Sequence, residues 1–267
     1  MSGDIGDRTP TLPGVARVTL LQAAALLPPV AAAVVERGNA VLPILAVVLL
    51  VSLIWELAFS ILRALPLSWH GVTTALILTV IVPPSVPLWQ VALAASFGVV
   101  IGEMIFGGRG FGFLNAAVAS GAFLIFAFPG TALGGNEPSV ALAALPGLGL
   151  LLATGLLPWR VLGGLVAGAA ASLLPDLDLP DPQTAAPLLF GAVFLVADPV
   201  ATATTRAGRW LTGALAGFLA IQFGLLTGTA MNAVVSAALL GSLAAPLIDH
   251  VAVLFHVWRR KRRRAHV

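Results

Sequence analysis

The chain of 267 residues is 59% hydrophobic and 9% charged, and its formal net charge is +3. Apolar stretches of about twenty residues with so few charges place it in a lipid bilayer rather than among water-soluble proteins. It contains no cysteine, which excludes disulfides, iron–sulfur clusters and zinc–thiolate sites, and its four histidines do not predict a metal site.

The apolar segments, taken in chain order, predict an all-α polytopic membrane protein with about ten transmembrane helices. The segments lie near residues 17–35, 40–62, 71–82, 88–106, 114–128, 139–157, 159–174, 185–197, 209–227 and 230–257. The third, fifth and eighth are short for a bilayer crossing, which is typical of tilted or broken helices that line a protein interior. No pattern of a removable signal peptide is visible, so we expect the first segment to remain as a membrane helix.

The charged residues predict the orientation of these segments. Six basic residues at 259–264 follow the last apolar segment directly, which predicts contact with lipid headgroups at the cytoplasmic face. An even number of crossings then places both termini in the cytoplasm. Most loop arginines fall on the same side, namely Arg8, Arg17, Arg63, Arg109, Arg160, Arg206 and Arg209. The residues predicted outside are Arg37, Glu137, Asp176, Asp178 and Asp181. One basic run does not indicate nucleic-acid binding.

The two halves of the chain share a sequence pattern. In each half a proline break is followed by a tryptophan, by a phenylalanine eight residues later and by an asparagine that opens a small-residue segment. The matched residues are Trp89 and Trp210, Phe97 and Phe218, and Asn115 and Asn232. Five helices per half would invert the second copy, so the pattern predicts a 5+5 inverted repeat. The alternative is a chance match in a low-complexity apolar sequence.

This pattern predicts a single membrane domain over residues 1–267. Its parts are a cytoplasmic segment 1–16, a first repeat 17–128, a second repeat 139–257 and a basic cytoplasmic tail 258–267. Asn115 and Asn232 then lie at helix ends, where they either cap the helices or bind a polar group.

Acidic residues within apolar segments are costly and are therefore functional candidates. Asp249 lies about 13 Å along a helix before the basic tail, too deep for its side chain to reach the headgroups easily. Asp198, Glu103 and Glu56 also fall toward the cytoplasmic side, and together these carboxylates predict a place that attracts a cation. Each has a structural alternative. Asp198 before Pro199 is typical of a helix cap, Glu103 lies a turn from Arg109, and Glu56 lies two turns from Arg63.

Three stretches resemble the NqrB/RnfD family, which contains the membrane proteins NqrB of the sodium-pumping NADH:quinone reductase and RnfD of the Rnf complex. They contain IVPPSVPLWQ at 81–90, FLNAAVAS at 113–120, and ADPVATATTRAGRW at 197–210 followed by APLIDH at 245–250. The resemblance implies ten transmembrane helices in the bacterial inner membrane. It also implies partner subunits and a complex that couples flavin-mediated electron transfer to cation translocation. Asp249 and Asp198 match family acids linked to cation handling.

The resemblance also implies a flavin. The family attaches FMN to a threonine of a serine-glycine-alanine-threonine motif in an outer loop, and this loop is PGTALGGNEPSVALAAL here, residues 129–145. If Ser139 matches the motif's serine, Leu142 replaces the acceptor, and Thr131 is the only threonine in the loop. We therefore expect noncovalent riboflavin or FMN rather than covalent FMN. The family motif places the flavin at Asn115, with Phe113 and Phe123, and also Phe111, available to pack against its ring.

The predicted function is that of an NqrB/RnfD-like membrane subunit in a flavin-dependent electron transport complex coupled to Na⁺ or H⁺ translocation. The chain has no glycine fingerprint for a dinucleotide and no predicted catalytic residue, so NADH and quinone chemistry would belong to partner subunits. One alternative is a channel or transporter for a small solute on the same scaffold without redox chemistry. A second is a scaffold that only docks partner subunits.

Overall fold

The protein is helical throughout the part of the chain that its computed structural model describes, residues 12–63, 67, 69–108, 110–174 and 182–264, where no β-strand is present. The helices are α1 Leu12–Arg37, α2 Leu42–Arg63, α3 Gly71–Ile81, α4 Leu88–Val99, α5 Ala116–Ala127, α6 Pro138–Ala153, α7 Trp159–Leu173, α8 Pro182–Gly191, α9 Arg206–Thr227 and α10 Ala230–Arg264. A 3₁₀ turn, Gly38–Val41, joins α1 to α2, and π turns extend α4 over Val100–Met104 and α8 over Ala192–Val196.

The prediction of an all-helical, multi-pass membrane protein is confirmed. Three helical stretches are long and apolar enough to cross a bilayer, namely Arg17–Arg63, Arg206–Thr227 and Ala230–His256. The other apolar helices are shorter, and α3 has only 11 residues. The predicted acidic loop at 176–181 and Arg109 lie outside the described residues.

The local sequence explains where several helices begin and end. Helix α3 stops before Pro83 and Pro84, whose rings cannot continue a helix. Helix α9 ends at Gly228, whose φ of 66° is a left-handed conformation that glycine adopts without strain. The prediction that Asp198 and Pro199 start a helix is wrong, because residues 199–201 form a turn and α9 begins only at Arg206.

Helices of the first half make contacts that recur in the second half. Helix α2 packs against α4 as α7 does against α9, and α4 packs against α5 as α9 does against α10. Likewise α1 contacts α3 and α6 contacts α8, while α3 contacts α5 and α8 contacts α10. The halves meet through the pairs α1–α6 and α5–α10. The α2–α3 contact has only a weaker counterpart, between α7 and the π turn at 192–196.

Glycines bring α7 and α9 into close contact. A Cβ atom on Gly164 or Gly168 of α7 would overlap the carbonyl oxygens of Trp210 or Ala214 on α9. Gly213 and Gly217 of α9 face backbone of α7 in the same way. Small residues at this spacing allow two membrane helices to approach until their backbones touch. This contact fixes α9, and with it the loop at 197–205 that precedes α9.

Candidate functional site

A hydrogen bond between Asn115 and Asp198 joins the two halves of the chain. The Asn115 Nδ2 group donates to Asp198 Oδ2 at 2.6 Å, and both residues are buried, with 5% and 4% of their surface exposed. Asn115 Oδ1 accepts from the backbone N–H groups of Ala117 and Val118 at 2.8 and 3.4 Å, so the residue also caps α5. The capping interpretation of Asn115 is therefore confirmed, and its amide nitrogen is directed at a carboxylate.

A small cavity of about 20 Å³ lies beside this pair. Its polar lining comes from Gln22 of α1, His70 and Thr73 at the start of α3, and the Asn115–Asp198 pair. Its apolar lining includes Phe194 from the π turn at 192–196 and Leu157 from the α6–α7 connection. A cavity of this size with polar walls accommodates one water molecule or an ion of similar size. The cavity thus lies where the two halves meet.

Glu103 faces the same region from the π turn after α4. Its Oε1 atom lies 3.4 Å from His70 Nε2, and both side chains are buried. The Thr73 hydroxyl donates to the His70 carbonyl at 2.8 Å and lies 2.9 Å from the imidazole ring nitrogens. The sequence indicated Glu103 as a candidate but not His70. The position of His70 directly before a short apolar segment could have identified it as a candidate.

The start of α3 is held by Glu56, a buried carboxylate on α2. Its two oxygens accept from the backbone N–H groups of Trp69 at 3.0 Å and Gly71 at 2.8 Å, where the positive end of the helix dipole favours a carboxylate. Arg63 instead donates to the carbonyls of Met104 and Ile105, at 2.7 and 3.3 Å. Glu56 and Arg63 thus each bind the end of a different helical segment, and a contact between them through an intervening polar group stays an interpretation.

Asp249 on α10 holds the start of α9. Its carboxylate accepts four hydrogen bonds, from the backbone N–H and the hydroxyl of Thr204 at 2.6 and 2.8 Å and from those of Thr205 at 3.0 and 2.6 Å. Thr205 in turn caps α9 by accepting from Gly208 N at 3.0 Å. A carboxylate offers about four acceptor positions, so these four donors use the capacity of Asp249.

The aromatic residues predicted to contact a flavin lie apart from one another. Phe123 is eight residues beyond Asn115, about 12 Å along α5, and its ring stacks on Phe97 at 4.7 Å between centroids. Phe113 packs edge-on against Phe106 at 5.3 Å, and Phe111 is exposed. The cavity beside Asn115 is far smaller than the several hundred Å³ of a site for an organic cofactor. Asn115, Phe113 and Phe123 therefore do not fit a single flavin ring in this arrangement.

Asn232 holds a second loop, which follows the other end of α5. Its Nδ2 group donates to the Thr131 carbonyl and its Oδ1 atom accepts from Leu133 N, each at 2.9 Å. The next residue, Gly134, donates its N–H to the Ile81 carbonyl at the end of α3, at 2.7 Å. The interpretation of Asn232 as a helix cap is wrong, because α10 begins two residues earlier and the side chain binds the loop.

Arg37 and Glu137 form a bidentate salt bridge beside this loop. Arg37 Nε and Nη2 donate to the two oxygens of Glu137 at 2.8 and 2.7 Å, and Arg37 Nη1 donates to the Val80 carbonyl at 2.8 Å. The hydrogen bonds from Arg37 hold the pKa of Glu137 below its ordinary value of 4.5, although partial burial opposes this shift. The sequence placed both residues on one side of the membrane, which was the signal for their pairing.

The hydroxyl groups of residues 129–145 are engaged in the fold. Thr131 Oγ1 donates to the Phe128 carbonyl at 2.8 Å, and Ser139 Oγ donates to Glu36 Oε1 at 2.7 Å. Leu142 lies on α6 with 65% of its surface exposed and has no oxygen that could form a phosphoester.

These features define a class: a multi-pass helical membrane protein whose two halves meet at a buried polar junction. The model of the NQR2, RnfD, RnfE family matches residues 12–134 and 130–255, with the boundary in the loop between α5 and α6. The chain therefore belongs to the NQR2, RnfD, RnfE family.

Three relatives are named as NqrB subunits of a Na(+)-translocating NADH-quinone reductase. The protein of Ectopseudomonas mendocina strain ymp is 33% identical, over 82% of this chain and 68% of the relative. That of Yersinia pestis is 33% identical, over 83% and 68%, and that of Azotobacter vinelandii is 32% identical, over 82% and 68%.

Proposed function

We propose that the chain is the NqrB/RnfD-type membrane subunit of a flavin-dependent electron transport complex, and that it helps to couple electron transfer to the translocation of Na⁺ or H⁺. The family and the names of the relatives support the redox complex. The observation that carries the role of this chain is the buried Asn115–Asp198 pair beside a water-sized cavity. Buried carboxylates are costly in a membrane protein and commonly mark a path for ions or protons.

The candidate acids divide into two roles in this proposal. Asp198 lines the cavity, and Glu103 contacts His70, which also lines it. These two carboxylates would balance the charge of a cation or hold a proton. Asp249, whose acceptor positions are used by Thr204 and Thr205, would position α9 rather than bind the cation. Asp198 is therefore the first residue to change.

The proposed arrangement is the 5+5 inverted repeat in one membrane domain, with residues 17–128 and 139–257 as its halves and both termini in the cytoplasm. The recurring helix contacts of the two halves support the repeat. The pairing of Arg37 with Glu137 supports their location on one side. Helix α10, which continues past the apolar segment to Arg264, would carry its basic end to the lipid headgroups.

A flavin on this chain would supply reversible electron transfer, and we propose that it is riboflavin or FMN held without a covalent bond. Support comes from residues 129–145, where Thr131 and Ser139 use their hydroxyls in the fold and Leu142 offers no acceptor. The prediction of Asn115, Phe113 and Phe123 as flavin residues stays a prediction, and a ring held there would need a wider opening than the structure has.

The test uses an affinity-tagged chain purified with its partners from membranes of its own host. We expect other subunits to co-purify, and NADH oxidation by the purified complex to depend on Na⁺ or to move protons into vesicles. The Asp198→Ala variant should lower this coupled activity at least ten-fold, whereas His250→Ala, at an exposed position on α10, should leave it unchanged. Full coupled activity of Asp198→Ala would contradict the proposed role.

The flavin is tested by acid precipitation of the same preparation and of the chain separated from its partners. Flavin released into the supernatant supports noncovalent binding. Flavin that stays in the pellet with this chain contradicts it, and loss of that signal in Thr131→Ala or Ser139→Ala would then identify the attachment residue.

The loss of the attachment motif at Leu142 favours a second function, a small-solute channel or transporter without redox chemistry. The purified chain alone in proteoliposomes would then give solute or ion flux that requires no NADH. If neither flux nor coupled oxidation is found, while partners still co-purify, the chain is a docking scaffold.

A further inference from the structure

The loop at 198–205, which we call the strap, forms part of the cavity wall on the side of the α9 N-terminus. Asp198 and Pro199 both line the cavity, and Asp198 is buried whereas Pro199 is exposed. Residues 201–203, further along the strap, are buried.

The strap is attached at both of its ends by hydrogen bonds to other helices. At its start, Asp198 accepts from Asn115 of α5 at 2.6 Å and, within the strap, from Val200 N at 3.1 Å. At its end, Thr204 and Thr205 donate four hydrogen bonds to Asp249 of α10. The first end is therefore joined to α5 through the Asn115–Asp198 pair, and the other end is joined to α10 through a four-bond anchor.

We propose that the strap is a gate for the cavity, with the Asn115–Asp198 pair as its latch and the Asp249 anchor as its hinge. Breaking the latch frees the first residues of the strap and opens the cavity at Pro199, while the anchor keeps the start of α9 in place. A cation that reaches Asp198 competes with Asn115 for the same carboxylate, and a proton removes the charge that strengthens the hydrogen bond from Asn115, so occupancy of the cavity and opening of the gate are coupled. The location of the gate on the cytoplasmic side rests on the topology proposed above. Opening of the gate requires neither bound flavin nor partner subunits.

The absence of native cysteine makes the gate measurable with one introduced thiol. Ile77, which lines the cavity from α3 and is 5% exposed, is replaced by cysteine in the full-length chain. Inside-out and right-side-out vesicles from the host are treated with a membrane-impermeant maleimide, and the labelling rate of the tagged chain is measured. In the otherwise unchanged chain we expect slow labelling from either side.

Two substitutions release the latch while keeping the helix cap. Asn115→Ser retains a capping oxygen but is one bond too short to replace the Nδ2 donor to Asp198, and Asn115→Asp retains the cap and repels Asp198. We expect the labelling rate from the cytoplasmic side to rise about ten-fold in Asn115→Ser and more in Asn115→Asp, since a hydrogen bond to a charged group is removed. Asp198→Asn, which keeps a neutral acceptor for the Asn115 amide, should give a smaller rise.

Asn232→Ser is the matched control, because it removes the equivalent amide from the loop at 131–133 and leaves the latch intact. It should not change labelling from the cytoplasmic side. Unchanged rates in both Asn115 variants, with wild-type helical content and elution from size exclusion, would overturn the gate. So would an equal rise in Asn232→Ser, or labelling only from the opposite side. These results leave the redox function untouched, because that function is read from NADH oxidation and co-purifying subunits.

Discussion

Asn115 and Asn232 are matched by the sequence pattern of the two halves, and each binds a loop at a different end of α5. Asn115, at the start of α5, donates to the carboxylate of Asp198. Asn232 binds the backbone at Thr131 and Leu133, in the loop that follows the end of α5. A carboxylate can bind a cation in place of its amide donor, or lose its charge to a proton, whereas a backbone carbonyl has no charge to lose. In the proposed gate, the Asp198 end is therefore the part that moves, while the Asn232 loop keeps its hydrogen bonds.

The supports of the two loops differ in the same way. The strap depends on Asp249, one carboxylate with four donors. The loop at 131–134, which we call the opposite loop, is held at several places. Asn232 binds its backbone, Gly134 donates to the Ile81 carbonyl, and the Arg37–Glu137 pair lies beside it. We infer that single substitutions disturb the strap more than the opposite loop, and the following predictions test this inference in order of expected effect.

The largest effect is expected from Asp249→Ala, which removes all four bonds to Thr204 and Thr205. Loss of a charged capping group with its backbone partners costs about 3 kcal/mol, so the thermal midpoint of the purified protein in detergent should fall by several degrees. The neighbouring substitution His250→Ala is the control and should leave the midpoint within a degree. A midpoint equal to wild type in Asp249→Ala would show that the α7–α9 glycine contact alone holds α9.

Asn232→Ala should have a smaller effect, about 1–2 kcal/mol, because two neutral hydrogen bonds are lost while the ion pair and the Gly134 bond remain. The same thermal measurement checks it. If Asn232→Ala destabilises the protein more than Asp249→Ala does, the inferred difference between the two loops is wrong.

Glu137→Gln should cost about 1 kcal/mol at neutral pH, because the ion pair with Arg37 is partly exposed. The pKa of Glu137 is lowered in the folded state, so its contribution is present at neutral pH and is lost as the pH falls through that lowered value. Thermal midpoints measured from pH 7 down to pH 3 should therefore converge for wild type and Glu137→Gln as the pH falls through the lowered pKa of Glu137. Parallel curves over this range would contradict the assignment.

The smallest effect is expected from Ser139→Ala, below about 0.5 kcal/mol, since its hydrogen bond to Glu36 is exposed. Thermal midpoints of this variant and of wild type should agree within a degree. A larger loss would mean that the exposed start of α6 supports the opposite loop more than the hydrogen bonds indicate.

Much of the fold follows from local sequence. Helices α1 to α10 of the described residues lie within a few residues of the predicted apolar segments at most ends, because burying backbone in lipid requires helices and prolines or glycines end them. The cap at Asn115 was predictable for the same local reason. The start of α9 was missed, since Asp198–Pro199 has the pattern of a helix start and only the distant Asp249 shows that the helix begins after Thr205.

By itself the sequence determined the membrane class, the family and the positions of the costly acids, because hydrophobicity and motifs are local properties of the chain. Only the tertiary structure decided which group each acid meets. Asp198 meets Asn115, Asp249 meets Thr204 and Thr205, and Glu103 meets His70. Helices such as α3 and α5 are apolar on nearly all sides, so their sequences do not show which face meets which neighbour. Close packing of the ten helices supplied that information.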